Sequence, residues 1–207
     1  MKLYFHPLSG NSRRVLLTAA QLQVPLERVV VDITQGEQRG PAHLGRNPNG
    51  KVPVLEDGDL ILWESRAIMQ YLADLTPGQT VYPSELRARA DVNRWMFWCA
   101  AHMAPANTIL VFENFVKPRT GRQTDPVEVA RGQALNAECS ALLDAHLAGK
   151  TWVSQDRLTL ADLSLAAAFA LAAPAGIPLA PYPHLSAWLG RVQALDAWRE
   201  TQPQLPR

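Results

Sequence analysis

Patterns that predict β-strands occur only in the first third of this chain, so any β-sheet must be built from those residues. Short apolar runs bounded by turn-forming residues predict strands at residues 3–5, 29–31, 52–55 and 60–63. From Glu85 onward, apolar residues recur at helical spacing and strand signals are absent. A cluster of proline and glycine residues separates the two patterns. We therefore predict an α/β domain at residues 1–78 and an all-α helical-bundle domain at residues 85–207.

The first domain begins with the pattern strand, loop, helix, strand. After a loop at residues 7–11, apolar residues recur at the spacing of one helix face. The run at residues 29–31 is continuous and β-branched, which is typical of a strand covered on both faces. These features predict a βαβ unit. The acidic turn at residues 57–59 predicts a β-hairpin, and helical spacing returns from Glu64.

The second domain is predicted from three amphipathic segments. Their apolar faces are marked by Trp95, Trp98, Cys99 and His102 in the first, by Leu135, Cys139, Leu142 and Leu143 in the second, and by Leu185, Trp188, Leu189 and Val192 in the third. Between the second and the third, Thr159 and Asp162 have the spacing of a capping box, which predicts a buried helix from Leu160. The apolar run at residues 165–180 is shorter than the roughly 20 residues that span a bilayer. We therefore interpret it as a buried helix that ends in a turn.

Charge and cysteine content exclude several function classes. With 20 Lys and Arg against 19 Asp and Glu, the chain has no strong positive field to hold a nucleic acid. Cys99 and Cys139 lack metal-ligand spacing, which argues against a metal site or a disulfide scaffold and for a reducing compartment. The N-terminal residues lack the apolar stretch of a secretory signal. We therefore expect a cytoplasmic protein with neither a nucleic-acid nor a membrane partner.

Three local motifs carry a resemblance to a known family. They are the segment His-Pro-Leu-Ser-Gly-Asn-Ser-Arg-Arg-Val at residues 6–15, Arg-Asn-Pro-Asn-Gly-Lys-Val-Pro at residues 46–53, and Trp-Glu-Ser-Arg-Ala-Ile at residues 63–68. In this order, the motifs resemble the cytosolic glutathione S-transferases, and the first is similar to the serine-type phi and theta classes and their bacterial relatives. The resemblance implies a thioredoxin-like N-terminal domain of topology βαβαββα and a helical C-terminal domain.

The resemblance implies that glutathione is a co-substrate whose thiol must ionise. A free thiol has a pKa of about 8.5, so a donor aimed at the sulfur is needed to populate the thiolate at neutral pH. Ser9 lies where the first strand leads into the first helix, and Asn11 follows two residues later. We hypothesise that Ser9, or Asn11 as second choice, donates a hydrogen bond to the thiolate. The alternative for Ser9 is a purely structural helix cap.

The other two motifs are expected to bind the glutathione peptide. Ser65 at a helix start can donate to the γ-glutamyl carboxylate while Glu64 accepts from the ammonium group, although both could simply begin the helix. The resemblance implies a cis bond between Val52 and Pro53, with the Val52 backbone pairing with the cysteinyl residue. The resemblance also places Lys51 and Gln38 near the glycine carboxylate. Arg39 can substitute for Gln38, and Lys51 could equally be a solvated surface charge.

The expected function is conjugation of glutathione to small hydrophobic electrophiles, in detoxification, with reduction of organic hydroperoxides as a further activity. Candidates for an electrophile site between the domains are Leu8, Trp98, His102, Phe112 and Phe115, although aromatics at helical spacing usually fill a core. The resemblance further implies a homodimer. Two alternatives remain: a non-catalytic binder with this fold, and thiol-disulfide exchange, which the lack of a cysteine in the first loop disfavours.

Overall fold

The computed structural model of the protein describes residues 1–202. Its contacts divide the described residues into two compact units, one formed by Met1–Tyr82 together with residues 195–202, the other by Pro83–Ala194. Within residues 1–202, no helix combines the length and the apolar composition that crossing a membrane requires.

The first unit is built on a four-stranded sheet in the order β2-β1-β3-β4. β1 pairs in parallel with β2 and antiparallel with β3, which pairs antiparallel with β4, so the predicted βαβ unit and hairpin are confirmed. The elements are β1 (Lys2–Phe5), α1 (Gly10–Gln21), β2 (Glu27–Val30), a 3-10 turn (Glu37–Arg39), α2 (Pro41–Leu44), β3 (Val54–Asp57), β4 (Leu60–Trp63) and α3 (Ser65–Leu75).

The alternation of side chains along β1 creates two small cores. Leu3 and Phe5 point to one face, where they pack with residues of α1, β3 and α3, including Val15 and Ile68, both fully buried. Tyr4 points to the other face and packs with a second cluster that contains Val52. Each fully buried aliphatic side chain contributes roughly 1.5–3 kcal/mol. The residue before Pro53 is thereby fixed by its own side chain in the core.

The prediction that the second strand is covered on both faces was wrong. β2 is an edge strand, and Val30 is 56% exposed. Continuous β-branched runs are typical of parallel strands covered on both faces, but here the described residues leave the face to which Val30 points uncovered, while the neighbouring Val31 is buried.

The second unit is helical throughout, as predicted. Its elements are α4 (Leu86–Trp98), a π-helical segment (Cys99–Met103), α5 (Ala104–Val111), a second π-helical segment (Phe112–Val116), α6 (Lys117–Arg119), α7 (Pro126–Leu147), α8 (Leu160–Ala168) and α9 (Pro183–Gln193). The buried helix predicted from Leu160 is confirmed, but it ends at Ala168, and hydrogen-bonded turns occupy the apolar run that follows.

The apolar face predicted for α7 was wrong at two of its four positions, since Leu143 is fully buried and Cys139 is half-buried. Leu135 and Leu142 are exposed, and the buried positions include Gly132, Asn136 and Ser140. A Cβ atom on Gly132 would lie 2.9 Å from the Ile109 side chain, so α5 and α7 approach too closely there for a larger residue. Asn136 Nδ2 donates to Asn107 Oδ1 at 2.7 Å. The small and amide side chains of α7 therefore lie against Ile109, Leu110 and Asn107 of α5.

The end of the described chain packs with the α/β unit rather than with the helical domain to which the sequence assigned it. α10 (Asp196–Glu200) lies against α1. Arg13 Nη2 donates to the Trp198 carbonyl at 3.0 Å, and its guanidinium lies 4.3 Å from the centre of the Trp198 ring. Burial lowers the pKa of Arg13 to about 10. The boundaries at residues 78 and 85 stay a prediction.

The capping box around Asp162 is the main polar hub of the helical unit. Oδ2 of Asp162 accepts from the Thr159 N–H at 2.8 Å and from its hydroxyl at 3.0 Å. Oδ1 accepts from the Val153 N–H and from Trp188 Nε1, both at 2.9 Å. Burial raises the pKa of Asp162, and these donors oppose the rise. One fully buried carboxylate therefore joins the start of α8, the loop before it and α9.

We expect Asp162→Ala to lower the free energy of unfolding by about 3 kcal/mol or more, because it leaves buried donors without an acceptor. Urea unfolding followed by circular dichroism measures this loss. Asp156→Ala removes an exposed carboxylate of the same loop and serves as the matched control, with an expected change within about 0.5 kcal/mol. Equal midpoints for the two variants would contradict the role of Asp162 as a hub.

Candidate active site

A small cleft in the first unit brings together most of the residues that the sequence predicts for the site. Its volume is about 30 Å³. It is lined by Asn11, Asn47, Asn49, Lys51, Val52, Pro53, Glu64 and Ser65. Six of these were predicted from the sequence, and Asn47 and Asn49 were not. Ser9 and Gln38 do not line the cleft, although Ser9 begins the helix that carries Asn11.

Ser9 is the N-cap of α1. Its backbone is extended, and its Oγ accepts a hydrogen bond from the Ser12 N–H at 3.2 Å. The structural alternative considered for Ser9 is thus part of its role. A hydroxyl can accept and donate at the same time, so the cap leaves the Ser9 proton available to a further acceptor. Capping and hydrogen-bond donation are compatible at this residue.

The buried guanidinium of Arg14 joins two sides of the cleft. Its Nη1 donates to Asn11 Oδ1 and, at 3.1 Å, to Ser65 Oγ. Arg14 is 1% exposed, so these bonds form away from competing water. Because the oxygen of the Asn11 amide faces Arg14, its NH₂ group is turned toward other acceptors. Arg14 thereby orients side chains from α1 and from the start of α3.

The start of α3 presents donors and an acceptor together. Ser65 is the first residue of this helix, whose opening N–H groups have no partner within the helix and carry positive potential. Glu64 precedes it with φ of 73°, a conformation that glycine adopts more easily than glutamate. This backbone keeps an exposed carboxylate beside the helix start. The pair can therefore bind a group that carries both a carboxylate and an ammonium.

The loop before β3 supplies backbone groups to the cleft. The peptide bond between Val52 and Pro53 is cis, as the resemblance implied. Lys51 is exposed, whereas its carbonyl oxygen accepts from Asn47 Nδ2 at 2.8 Å and lies 3.0 Å from His43 Nε2. His43 and Asn47 are 5% and 3% exposed, so both side chains are buried, and Asn47 also lines the cleft.

A partly buried ion pair anchors the same loop to the sheet. Arg46 Nε donates to Glu56 Oε1 at 2.6 Å, and the Tyr4 hydroxyl donates to Glu56 Oε2 at 2.9 Å. The hydrogen bond from Arg46 is the main cause of the lowered pKa of Glu56. The Arg46 guanidinium also lies 4.3 Å from the centre of the Tyr4 ring. The loop that carries Lys51 and Val52 is thus fixed to β1 and β3.

The side chains of several other candidates form contacts outside the cleft. Gln38 Nε2 donates to the Ile33 carbonyl at 3.4 Å. His6, which we did not place in the site, accepts from the Leu8 N–H through Nδ1 at 3.3 Å, and burial lowers its pKa. Phe115 is 1% exposed and belongs to the helical core, which is the alternative to a substrate site that we considered for the aromatic residues. Phe112 is 38% exposed.

Sequence reasoning missed Arg14 and His43. Both lie within or beside the motifs, yet each is charged or polar at a position that helical spacing turns inward. A buried arginine in the first turns of a helix is a rare arrangement and could have marked Arg14. Nothing in the local pattern pairs His43 with a carbonyl eight residues later.

The sheet order, the cis-proline before β3 and the helical second unit define a thioredoxin-like domain with an all-helical C-terminal domain. Residues 1–74 match the family model described as "Glutathione S-transferase, N-terminal domain", and residues 103–196 match "Glutathione S-transferase, C-terminal domain". The chain belongs to the glutathione S-transferase family.

Individual relatives and solved structures are similar to this chain over nearly its whole length. The chain is 34% identical over 211 residues to "Glutathione S-transferase 3" of Zea mays, covering 100% of this chain and 95% of the relative. The crystal structure of glutathione transferase F7 from Populus trichocarpa aligns with a TM-score of 0.89 at 29% identity, over 97% and 96% of the two chains. A glutathione S-transferase-I bound to lactoylglutathione aligns at 0.88 and 30% identity, over 97% of each chain.

We expect Arg14→Met to lower the free energy of unfolding by about 2 kcal/mol, because charge-assisted hydrogen bonds to Asn11 and Ser65 are lost. Chemical denaturation measures the change. Arg28→Met, which removes an exposed arginine from the edge strand, is the matched control and should be near neutral. If both variants unfold at the same denaturant concentration, the guanidinium bridge does not stabilise the fold.

Proposed function

We propose that this protein is a glutathione transferase that conjugates the glutathione thiolate to small hydrophobic electrophiles. The observation that carries the proposal is the convergence of Asn11, Val52, Glu64 and Ser65 on one cleft, because these groups match the polar parts of glutathione in turn. In the reaction, the sulfur forms a bond with the electrophilic carbon, the leaving group departs with its electron pair, and the thiol proton passes to solvent.

The γ-glutamyl end of glutathione fits the start of α3. Its carboxylate would accept from the Ser65 hydroxyl and N–H, and its ammonium would donate to the Glu64 carboxylate. The Arg14 bond to Ser65 Oγ engages an oxygen lone pair, which leaves the hydroxyl proton for the ligand. Binding of this end would therefore determine where the cysteinyl and glycine residues lie along the cleft.

The central and C-terminal parts of glutathione fit the loop before β3. The cysteinyl residue would pair with the Val52 backbone as an added strand, and Lys51 would attract the glycine carboxylate. Gln38 is retained as a weaker candidate for that carboxylate, because it lies outside the lining of the cleft. In this register the sulfur would point toward the first turn of α1.

Ser9 and Asn11 are the proposed donors to the sulfur. The Ser9 proton is not used by its cap bond, and the Asn11 amide is oriented by Arg14 with its NH₂ group away from the guanidinium. Either donor would favour the charged form of the thiol and lower its pKa. The positive potential at the N-terminus of the 12-residue α1 acts in the same direction.

The remaining parts of the proposal concern the second substrate, the assembly and the location. Partly exposed Trp98 and Phe112 in the helical unit suit a hydrophobic electrophile. A homodimer would cover the exposed apolar side chains of β4, including Ile61 and Trp63, and the 66% exposed Phe97. Two free cysteines suit a cytoplasmic location.

For Ser9→Ala, we expect the pKa of the bound glutathione thiol to rise by about one to two units and turnover at pH 6.5 to fall about 10- to 100-fold, with glutathione affinity largely kept. Ultraviolet titration of the thiolate in the complex and steady-state assays with an aryl halide measure these quantities. Ser9→Thr keeps a hydroxyl and should restore most of the activity.

Asn11→Ala separates the two donors, since the larger rise in thiol pKa marks the dominant one. An unchanged thiol pKa in both variants would contradict the assignment. Retention of the unsubstituted protein on immobilised glutathione without turnover of any electrophile would instead indicate a carrier.

For Ser65→Ala, we expect a several-fold weaker affinity for glutathione, because a donor to the γ-glutamyl carboxylate is removed, together with a lower free energy of unfolding, because Arg14 Nη1 loses an acceptor. Isothermal titration calorimetry measures the dissociation constant. Ser186→Ala, on the exposed face of α9, is the control for a serine substitution elsewhere. A dissociation constant equal to that of the control would place the γ-glutamyl group somewhere else.

A further inference from the structure

Two buried side chains converge on the carbonyl oxygen of Lys51, a residue that lines the cleft. The Lys51 oxygen is contacted by His43 Nε2 at 3.0 Å and by Asn47 Nδ2 at 2.8 Å. A carbonyl oxygen has two lone pairs and can only accept, so both nitrogens carry a hydrogen toward it. The acceptor capacity of this oxygen is therefore filled from two directions, one in α2 and one in the turn that follows.

The two donors are themselves held in place. Asn47 Oδ1 accepts from the Asn49 N–H at 3.0 Å, and the Asn47 carbonyl accepts from the Gly50 N–H at 2.9 Å, so the turn closes around the Asn47 side chain. The Asn47 N–H donates to the His43 carbonyl at 2.9 Å. His43 and Asn47 thus form one unit, whose only common target among the described residues is Lys51.

Fixing this carbonyl also fixes the N–H group on the other side of the same peptide bond. The bond between Lys51 and Val52 is trans, and a planar trans peptide points its C=O and N–H in opposite directions. With the oxygen directed into the protein, the Val52 N–H is directed out of it. Val52 lines the cleft, and within residues 1–202 its N–H donates to no protein acceptor.

We propose that His43, together with Asn47, is a positioning residue for glutathione binding: the pair clamps the Lys51 carbonyl so that the Val52 N–H faces the cysteinyl carbonyl of the peptide. This inference rests on the proposed function. Two donors on the carbonyl also polarise the peptide unit, which makes its N–H a stronger donor. His43 never touches the ligand and acts through a backbone plane that it holds.

The test compares His43→Met, which keeps volume but has no donor, with His43→Gln, whose amide nitrogen can replace Nε2. Two ligands are titrated into each variant: glutathione, and a glutathione analogue in which an uncharged trans-alkene replaces the amide between the cysteinyl and glycine residues. We expect His43→Met to weaken glutathione about five-fold, as loss of one neutral hydrogen bond implies, and His43→Gln to stay within about two-fold. The analogue should bind all proteins equally, because it lacks the acceptor for Val52.

Equal weakening of both ligands by His43→Met, or no weakening of either, overturns the positioning role. His184→Met, a substitution of an exposed histidine in α9, controls for loss of an imidazole. Failure of the unsubstituted protein to bind glutathione at all would instead refute the proposed function and is seen before any variant is made.

If His43→Met does not fold, nuclear magnetic resonance of the unsubstituted complex decides the matter. We expect a coupling across the hydrogen bond from His43 Nε2 to the Lys51 carbonyl carbon and a downfield shift of the Val52 amide proton with glutathione but not with the analogue. Loss of that coupling in the glutathione complex would show that the carbonyl has turned away, and would overturn the proposal.

Discussion

The arrangement of the cleft depends on one buried cation. Arg14 sits on α1 at 1% exposure, and its guanidinium spans the gap to the first residue of α3. Both of these hydrogen bonds come from Nη1, a single nitrogen of the guanidinium. Asn11 and Ser65 lie on different elements, yet their positions are fixed relative to each other because they share this partner.

In the helical unit, a buried carboxylate joins separate segments as the Arg14 guanidinium does in the first unit. Asp162 uses both oxygens to collect donors from the start of α8, from the preceding loop and from α9. In each unit, a single buried ionisable group joins segments that are distant in sequence. Apolar packing supplies most of the stability of such domains, whereas these polar hubs hold particular segments in contact with one another.

Sequence reasoning succeeded where the signal is local. The turn at residues 57–59 and the box formed by Thr159 and Asp162 were predicted because a hairpin turn and a helix cap are determined by a few neighbouring residues. The cis bond before Pro53 and the site residues came from resemblance, since no local rule selects one proline from the 16 in the chain.

The failures share a cause. Whether β2 is central or at the edge depends on where the other strands pair, and the burial of Asn136 rather than Leu135 in α7 depends on how closely α5 approaches Gly132. The docking of α10 on α1 depends on Arg13, 185 residues away from its carbonyl partner. These outcomes are set by tertiary packing, and the hydrophobic periodicity of a segment does not indicate which other segment it will contact.

Glu64 has a consequence for how this sequence can change. At φ of 73° the backbone favours glycine, and holding a glutamate there costs about 1–3 kcal/mol. Drift toward glycine at this position would therefore yield a sturdier fold that has lost a carboxylate beside the helix start. Backbone stability and the charge beside the helix start therefore oppose each other at residue 64, since glycine would favour the first and glutamate supplies the second.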